Sequence, residues 1–432
     1  MGENVYRILK ERGFIYQTTD DQVLEKLLSE KRVTCYIGFD ATADSLHVGS
    51  LVQIMGLVHM ERFGHRPIAL IGGGTTMVGD PSGKTEMRKM LGLDDILAFG
   101  QRIKDQLGRF LSIREGKTLC LNNAEWLVGL KYIDFLRDIG RHFSVNRMLT
   151  AETYKMRLET GLSFIEFNYM LLQSYDFYIL ARDHGCELQM GGQDQWGNIV
   201  AGADLVRRLL NKTVYGMTTP LLMSAAGEKF GKTAAGAVWL DTAKTSPHDF
   251  YQFWRNVADS DVEKCLGLFT FLPMDEVRRL SLKDTSAAEY SKIINRAKEI
   301  LAYEVTCLVH GKAVADSICS AFLAKFGASD PGNTVPTSSA IASIVVDSQA
   351  ALPTVELSQK LLESGIWVVK LFVEAGLCSS NSEVRRLIQQ GGASINGKAV
   401  ADENLTVTTS DLDEGSLLVR AGKKRFKRII FK

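Results

Sequence analysis

No apolar stretch in this chain approaches the ~18 residues that a membrane-spanning helix requires, so no membrane segment is expected. Residues 1–20 carry charge throughout and lack the apolar core of a signal peptide. The seven cysteines (Cys35, Cys120, Cys186, Cys265, Cys307, Cys319 and Cys378) are scattered and never spaced Cys-x-x-Cys. That pattern argues against a zinc site and fits reduced thiols in a cytoplasmic protein better than a disulfide frame. No His-Glu-x-x-His run, Ser/His/Asp set or cysteine nucleophile is evident, so neither a protein-held metal nor a covalent intermediate is expected. Internal repeats and low-complexity blocks are missing too. What remains is ordinary globular composition: 432 residues, 45% hydrophobic and 23% charged, enough for two to four domains with their own cores.

Net charge is also small, at +1, but unevenly spread. Residues 366–432 hold 11 Lys/Arg against 7 Asp/Glu, while the rest of the chain holds 40 against 43. Seven of those basic residues, Lys423, Lys424 and Arg425 among them, stand at or after Arg420 with no acid between them. A solvated tail and a nucleic-acid footprint both account for this surplus.

From residue 33 to about 240, short apolar runs alternate with helical ones. The runs 33–39, 67–71, 118–122, 186–190 and 214–223 read as strands, and 46–63, 95–110, 132–140, 163–181 and 196–210 as helices. This alternation predicts an α/β fold, a Rossmann-like parallel sheet over 1–240 with ligands at the carboxyl ends of its strands. Ser246 followed by Pro247 opens an α-helical domain over 246–327, in which Ser260-Asp-Val-Glu263 has a capping-box pattern. Residues 328–353 have linker composition, and three of the eight prolines lie between 327 and 353. A small α+β domain occupies 354–432.

Five stretches carry chemistry. Tyr36-Ile-Gly-Phe-Asp-Ala-Thr-Ala-Asp-Ser-Leu-His-Val-Gly-Ser50 begins in a buried strand that opens at Gly38. Ser45 is placed to cap a helix over 46–58, whose N-terminus favours an anion; His47, Gly49 and Ser50 stand there. Gly72-Gly-Gly-Thr-Thr-Met-Val-Gly-Asp-Pro-Ser-Gly-Lys84 offers the Asp80 carboxylate to an ammonium, and Lys84 and Arg88 to phosphate; a plain Asp-Pro-Ser-Gly turn is the alternative. Tyr169, Gln173 and Asp176 share one helix face amid apolar residues. Each must pair with a ligand or another buried side chain, because an unpaired polar group costs roughly 1–3 kcal/mol. Gln189-Met-Gly-Gly-Gln-Asp-Gln-Trp196 allows close backbone approach at Gly191 and Gly192 and places Asp194 to accept from ribose. Lys229-Phe-Gly-Lys-Thr233 puts two lysines on a glycine-bearing loop, suited to charge building on phosphates. A Walker A loop is excluded, since Val78 and Ala226 stand where its first glycine must be.

Together, His47-Val-Gly-Ser and Lys229-Phe-Gly-Lys-Thr resemble the two signatures of class I aminoacyl-tRNA synthetases. With Tyr-x-Gly-Phe-Asp-x-Thr-Ala-Asp-Ser-Leu-His, Gly-Asp-Pro-Ser-Gly-Lys, Gln-x-Tyr-Asp, Asp-Gln-Trp-Gly-Asn and the domain order, the whole chain looks like the bacterial tyrosyl-tRNA synthetase family. The resemblance implies that Tyr36 and Asp176 hold the phenolic hydroxyl of L-tyrosine, that Asp80, Tyr169 and Gln173 surround its ammonium, and that Gln195 lies near its carboxylate. It further implies that Gly38, Asp40, Thr42, His47, Gly49, Gly192, Asp194 and Lys232 bind ATP. Lys84, Arg88, Lys229, Lys232 and Thr233 would then act on the departing pyrophosphate, with Mg2+ carried in on the ATP phosphates. A homodimer through about 123–160 and an anticodon-recognising helical domain are also implied. The third domain resembles an αL-type RNA-binding fold. There Arg385 and Arg386, on a helix over 382–390 ahead of a strand at 393–395 and an Asn-Gly turn, would join Lys423, Lys424 and Arg425 on tRNA(Tyr).

The chain departs from the commonest family pattern at Ser50, where a second histidine is usual, and at Ala41, where proline is usual. Ile37 and Gln53 replace small polar residues near the ribose, and Gln193 stands where a small residue is more frequent. Two rival readings carry weight. A tryptophanyl-tRNA synthetase shares the scaffold but has no use for a hydroxyl-binding pair at Tyr36 and Asp176. A non-catalytic, synthetase-like RNA-binding protein has no use for His47, Asp176, Lys229 and Lys232 together.

Overall fold

The five apolar runs become strands of one six-stranded sheet. The computed structural model describes residues 4–82, 91–224, 227, 230–233, 236–282, 286–344, 354–363, 365–413, 415–422 and 425–432, without the side chains of 232 and 233. In chain order the strands are β1 Gln17–Thr18, β2 Thr34–Asp40, β3 Arg66–Gly72, β4 Leu119–Asn122, β5 Cys186–Gly192 and β6 Tyr215–Thr219. Across the sheet they run β1-β6-β5-β2-β3-β4. All pair in parallel except β1, which lies antiparallel on β6. β3 and β4 lie to one side of β2, β5 and β6 to the other, which makes the carboxyl end of β2 the switch point where such sheets take ligands.

Side chains alternate between faces. Tyr36, Ile68 and Leu70 point to one face and pack on Phe177 and Leu180 of helix Tyr169–Asp183 and on Val206 of helix Trp196–Leu210. Ile37 points to the other, where helix Leu51–Arg62 lies so close at Gly56 that an added Cβ would meet Met190 and Ile37. Covered on both faces, the strands are apolar throughout, as the sequence shows.

Three local expectations are corrected. Ser45 caps no helix: its hydroxyl donates to the Leu46 carbonyl, and the helix begins only at Leu51, after a 3₁₀ turn Val48–Ser50 capped by His47. The cause is pairing, because Val48 N–H donates to the Val238 carbonyl and Leu240 N–H to the Leu46 carbonyl, which keeps this backbone extended. The single helix expected over 163–181 is two, Phe164–Phe167 and Tyr169–Asp183, joined at Asn168. Ser260 lies inside a 3₁₀ turn, Asp259–Asp261, so no capping box forms with Glu263.

The described chain forms two compact units, 1–315 with 329–342 and 316–328 with 343–432. In the first, helices Pro247–Arg255, Val262–Phe269 and Ala287–His310 follow the sheet, with Ser246 accepting from the Asp249 N–H and Pro247 opening its helix. Part of the stretch with linker composition is held here: Thr337 and Ser338 donate to Glu276, Ser339 donates to Glu304, and Asp330 pairs with Lys292. In the second unit, helices Val368–Glu374 and Asn381–Gln389 and a five-stranded sheet share a core that includes Phe372, Val384, Leu417 and Ile429. Asn396 and Gly397, both at positive φ, make the expected tight turn between Ala393–Ile395 and Lys398–Ala399. The basic C-terminus is no tail. Arg425–Phe431 is an interior strand between Ser416–Ala421 and Thr354–Leu357, anchored by buried Phe426 and Ile429. Among the described residues no helix is long and apolar enough to cross a membrane.

Candidate active site

The carboxyl ends of β2, β3 and β5 open on a cavity of about 220 Å³. Tyr36, Gly38 and Asp40 enter it from β2, Gly72 from β3, and Gly191, Gly192, Asp194 and Gln195 from the end of β5 and the turn after it. Tyr169, Gln173 and Asp176 line it from one helix, so the face read from their spacing is the face turned to the cavity. Asp80 completes the wall.

At the buried end, Asp176 is 2% exposed and Tyr36 1%. Asp176 Oδ1 accepts from the Trp126 indole N–H at 2.7 Å, and Oδ2 from the Asn123 amide at 2.9 Å. Burial pushes this carboxyl up to about 7, and those two hydrogen bonds pull it back only partly. The Tyr36 hydroxyl has no hydrogen-bond partner among the described residues. Burial, with the nearby charge of Asp176, holds its phenol well above its ordinary value, so it stays a neutral donor. A buried donor and a buried acceptor thus face one cavity. That is the arrangement a ligand hydroxyl satisfies.

Further out, Asp80 accepts from Gln195 Nε2 at 2.7 Å and from the Ser82 N–H at 2.8 Å. Tyr169 donates to Asp40 at 3.0 Å, and Gln173 accepts from Asn198 at 2.9 Å. Two carboxylates and a phenol oxygen suit an ammonium group. The glycines at the end of β3 and just after it are needed for space: a Cβ on Gly72 would collide with the Asp40 carboxylate, and one on Gly74 would press on Leu127 at 2.9 Å.

The first and last signature stretches meet. His47 and Trp239 form an antiparallel bridge, and an added Cβ on Gly231 would lie 3.2 Å from Val48. His47 Nδ1 accepts from the Gly49 N–H at 3.0 Å, and a Cβ on Gly49 would crowd that imidazole at 2.8 Å. His47 and Thr42 are exposed and outside the cavity lining. Among the departures from family pattern, Ile37 and Gln53 line the cavity, and Gln53 accepts from Thr219 at 3.4 Å. Gln193 accepts from the Leu221 N–H at 3.0 Å, and the Ala41 N–H, which a proline would lack, donates to Thr76 at 2.8 Å.

Lys84, Arg88, Lys229, Lys423 and Lys424 lie outside the described residues; the backbone of Lys232 and Thr233 forms a short strand against Gly236–Ala237. Arg385 and Arg386 are exposed on their helix, Arg385 above the Trp367 ring. Arg425 is engaged within its own unit, donating to the Leu377 carbonyl at 2.6 Å and to Glu383 at 2.9 Å.

Sequence reasoning missed Asn123, Trp126 and Thr75. Asn123 binds Asp176 and Thr75 as well as the Gly74 N–H, and Thr75 passes the chain on to Asp40 at 2.9 Å. The available signal was a pair of asparagines at the carboxyl end of a predicted strand, the place where ligand-facing polar groups collect in such sheets.

Residues 28–327 match the family model of class I tRNA synthetases (W and Y), and residues 345–429 that of a tyrosine–tRNA ligase SYY-like C-terminal domain. Relatives include the tyrosine–tRNA ligase of Desulfatibacillum aliphaticivorans, 52% identical with 100% of this chain and 99% of the relative covered. That of Clostridium tetani is 51% identical, with both chains covered in full. The crystal structure of a C-terminally truncated Aspergillus nidulans mitochondrial tyrosyl-tRNA synthetase aligns with a TM-score of 0.66 at 31% identity, covering 75% of this chain and 94% of that one. An Archaeoglobus fulgidus tyrosyl-tRNA synthetase, 15% identical with 72% of this chain and 99% of that one covered and a TM-score of 0.55, shares the fold. The two family models, two signature stretches in contact, and 51–52% identity over the full length of these enzymes lead to one assignment: the chain belongs to the tyrosine–tRNA ligase family of class I aminoacyl-tRNA synthetases.

Proposed function

We propose that this cavity makes tyrosyl-adenylate from ATP and L-tyrosine, and that the same chain then passes the tyrosyl group to the 3′-terminal adenosine of tRNA(Tyr). The observation that carries the reading is the buried pair of Tyr36 hydroxyl and Asp176 carboxylate lining one cavity with the Asp80 carboxylate. The pair takes the phenolic hydroxyl, Asp176 accepting its proton in a hydrogen bond and Tyr36 donating to its oxygen. Asp80, Tyr169 and Gln173 receive the ammonium, and Gln195 lies beside the carboxylate. Gly38, Asp40, Thr42, His47, Gly49, Gly192, Asp194 and Lys232 hold ATP.

Adenylate formation needs alignment rather than proton transfer. A tyrosine carboxylate oxygen attacks the α-phosphorus, and the bond to pyrophosphate breaks. Negative charge gathers on the leaving group, where Lys84, Arg88, Lys229, Lys232 and Thr233 stabilise it. Mg2+ enters as part of the nucleotide substrate. A ribose hydroxyl of tRNA then attacks the activated carbonyl carbon, the bond from that carbon to the phosphate oxygen breaks, and AMP departs as the hydroxyl proton passes to its phosphate or to solvent.

Exposed Val128, Tyr132, Ile133 and Val145 give the segment around 123–160 an apolar surface suited to pairing two copies of the chain. None of the seven cysteines forms a disulfide among the described residues, in keeping with a cytoplasmic location. The helical domain reads the anticodon, and the C-terminal domain adds Arg385, Arg386 and the Lys423–Lys424 pair to RNA phosphates. Asp176→Ala tests the central assignment: tyrosine-dependent ATP–pyrophosphate exchange should be lost, and full exchange in that variant would contradict it.

A further inference from the structure

The two ends of the cavity are joined by a buried chain of hydrogen bonds whose direction is fixed. Asn123, 1% exposed, accepts from the Gly74 N–H at 2.7 Å through Oδ1. That contact settles which end of its amide carries the hydrogens. They go to Asp176 Oδ2 at 2.9 Å and to Thr75 Oγ1 at 3.0 Å. Thr75 is buried as well, and with Oγ1 already accepting it gives its single proton to Asp40 Oδ1 at 2.9 Å. Tyr169 donates to the second Asp40 oxygen at 3.0 Å.

The surrounding backbone keeps this link in place. Asp40 and Gly72 are register partners on β2 and β3, and a Cβ on Gly72 would collide with the Asp40 carboxylate and lie 2.6 Å from Thr75 Oγ1. Thr75 opens the 3₁₀ turn Thr75–Met77, and the next residue, Thr76, accepts from the Ala41 N–H at 2.8 Å. The turn after β3 therefore holds both the side chain of Asp40 and the main chain that follows it. An aspartate has several staggered rotamers, and only some of them aim its oxygens at a ligand. We propose that Thr75 is a positioning residue for Asp40, its hydroxyl oriented by Asn123 so that the carboxylate keeps the rotamer in which it accepts a hydrogen bond from ATP. The inference rests on Asp40 contacting ATP, and the experiment separates the two claims.

Single-turnover formation of tyrosyl-adenylate is followed on the full-length protein, with ATP and tyrosine titrated separately. Tyrosine binding without ATP, by equilibrium dialysis, gives the affinity and counts the folded sites. The variants are Thr75→Val, which keeps the shape and removes the donor, and Thr75→Ser, which keeps the donor, each alone and combined with Asp40→Ala. Thr75→Val should lower the adenylation rate at subsaturating ATP about tenfold, with tyrosine affinity held within about threefold. Thr75→Ser should stay within about threefold of the parent. In the Asp40→Ala background the valine loss should shrink to less than about twofold, because the group it acts through is gone. Thr75→Ala removes the same donor, should show the same loss, and replaces the valine variant if that one does not fold. A donor-less variant at the parent rate, a serine variant as poor as valine, an equal fall in tyrosine affinity, or a loss that multiplies unchanged onto a damaging Asp40→Ala overturns the positioning role alone. If Asp40→Ala is without effect on ATP use, the reading of Asp40 fails and takes the inference with it.

Discussion

Trp126→Phe removes one of two donors to a carboxylate buried at the foot of the cavity. The indole N–H lies 2.7 Å from Asp176, with the Asn123 amide on the other oxygen, and Asp176 already stands near about 7 because of burial. A hydrogen bond to a charged group contributes about 1.5–3 kcal/mol, so losing one should raise the titration midpoint by about one to two pH units. A protonated carboxyl is a poor acceptor for a phenol. At neutral pH the variant is therefore mostly in the wrong form, and kcat/KM for tyrosine should fall about tenfold or more. Phenylalanine has no hydroxyl to place, so its kcat/KM should hardly move. The assay is ATP–pyrophosphate exchange with each amino acid across the neutral range. In the parent protein the preference for tyrosine should rise with pH and level off above about 7. In the variant the tyrosine curve should be displaced upward in pH, and alkaline buffer should recover the lost activity. Stability carries the sign of the same proton. A carboxyl raised to about 7 when folded favours folding below its unfolded value near ~3.9 and loses that contribution as pH rises through about 7. A loss of tyrosine activity that is equal at every pH, or a phenylalanine curve displaced in parallel, would refute the electrostatic reasoning.

Tyr36→Phe removes the buried donor and should narrow the kcat/KM gap between tyrosine and phenylalanine by about 10- to 100-fold; an unchanged ratio would deny it that role. Alanine at Lys84, Lys229 or Lys232 should lower kcat of adenylate formation on the order of 10²–10³ each while tyrosine binding without ATP is unchanged. Gly72→Ala drives a methyl into the Asp40 carboxylate and should destabilise the protein by about 1–3 kcal/mol in denaturant unfolding, with weaker ATP binding. Removing the chain beyond residue 342 should leave ATP–pyrophosphate exchange intact while tRNA charging weakens and its salt dependence flattens, since each phosphate contact adds close to one unit to that slope. A truncated protein that charges tRNA at full rate with the same salt slope would give the C-terminal domain another task.

The parallel sheet was legible because strands covered on both faces are written as apolar runs, and five of its six strands fall where those runs lie. β1 was not. Gln17–Thr18 is too short to carry a pattern and exists only because β6 offers an edge. Tyr169, Gln173 and Asp176 could be read as one face, since helical spacing is local information. Trp126 and Asn123 could not, because their link to Asp176 spans 50 and 53 residues and depends on where the chain returns after β4. The same limit explains Ser45: its sequence suits a cap, but pairing of 46–48 with 238–240 decides the backbone. Charge counting found the basic C-terminus but not its form: Arg425–Phe431 is a strand with Phe426 and Ile429 buried, and their spacing of three carries no strand alternation to read.

The most direct test of the account is ATP–pyrophosphate exchange by the full-length protein, run with each of the standard amino acids in turn. Exchange that depends on tyrosine, with phenylalanine and tryptophan near background, is the result expected from the Tyr36–Asp176 pair. Exchange supported by tryptophan instead, or by no amino acid at all, would contradict it.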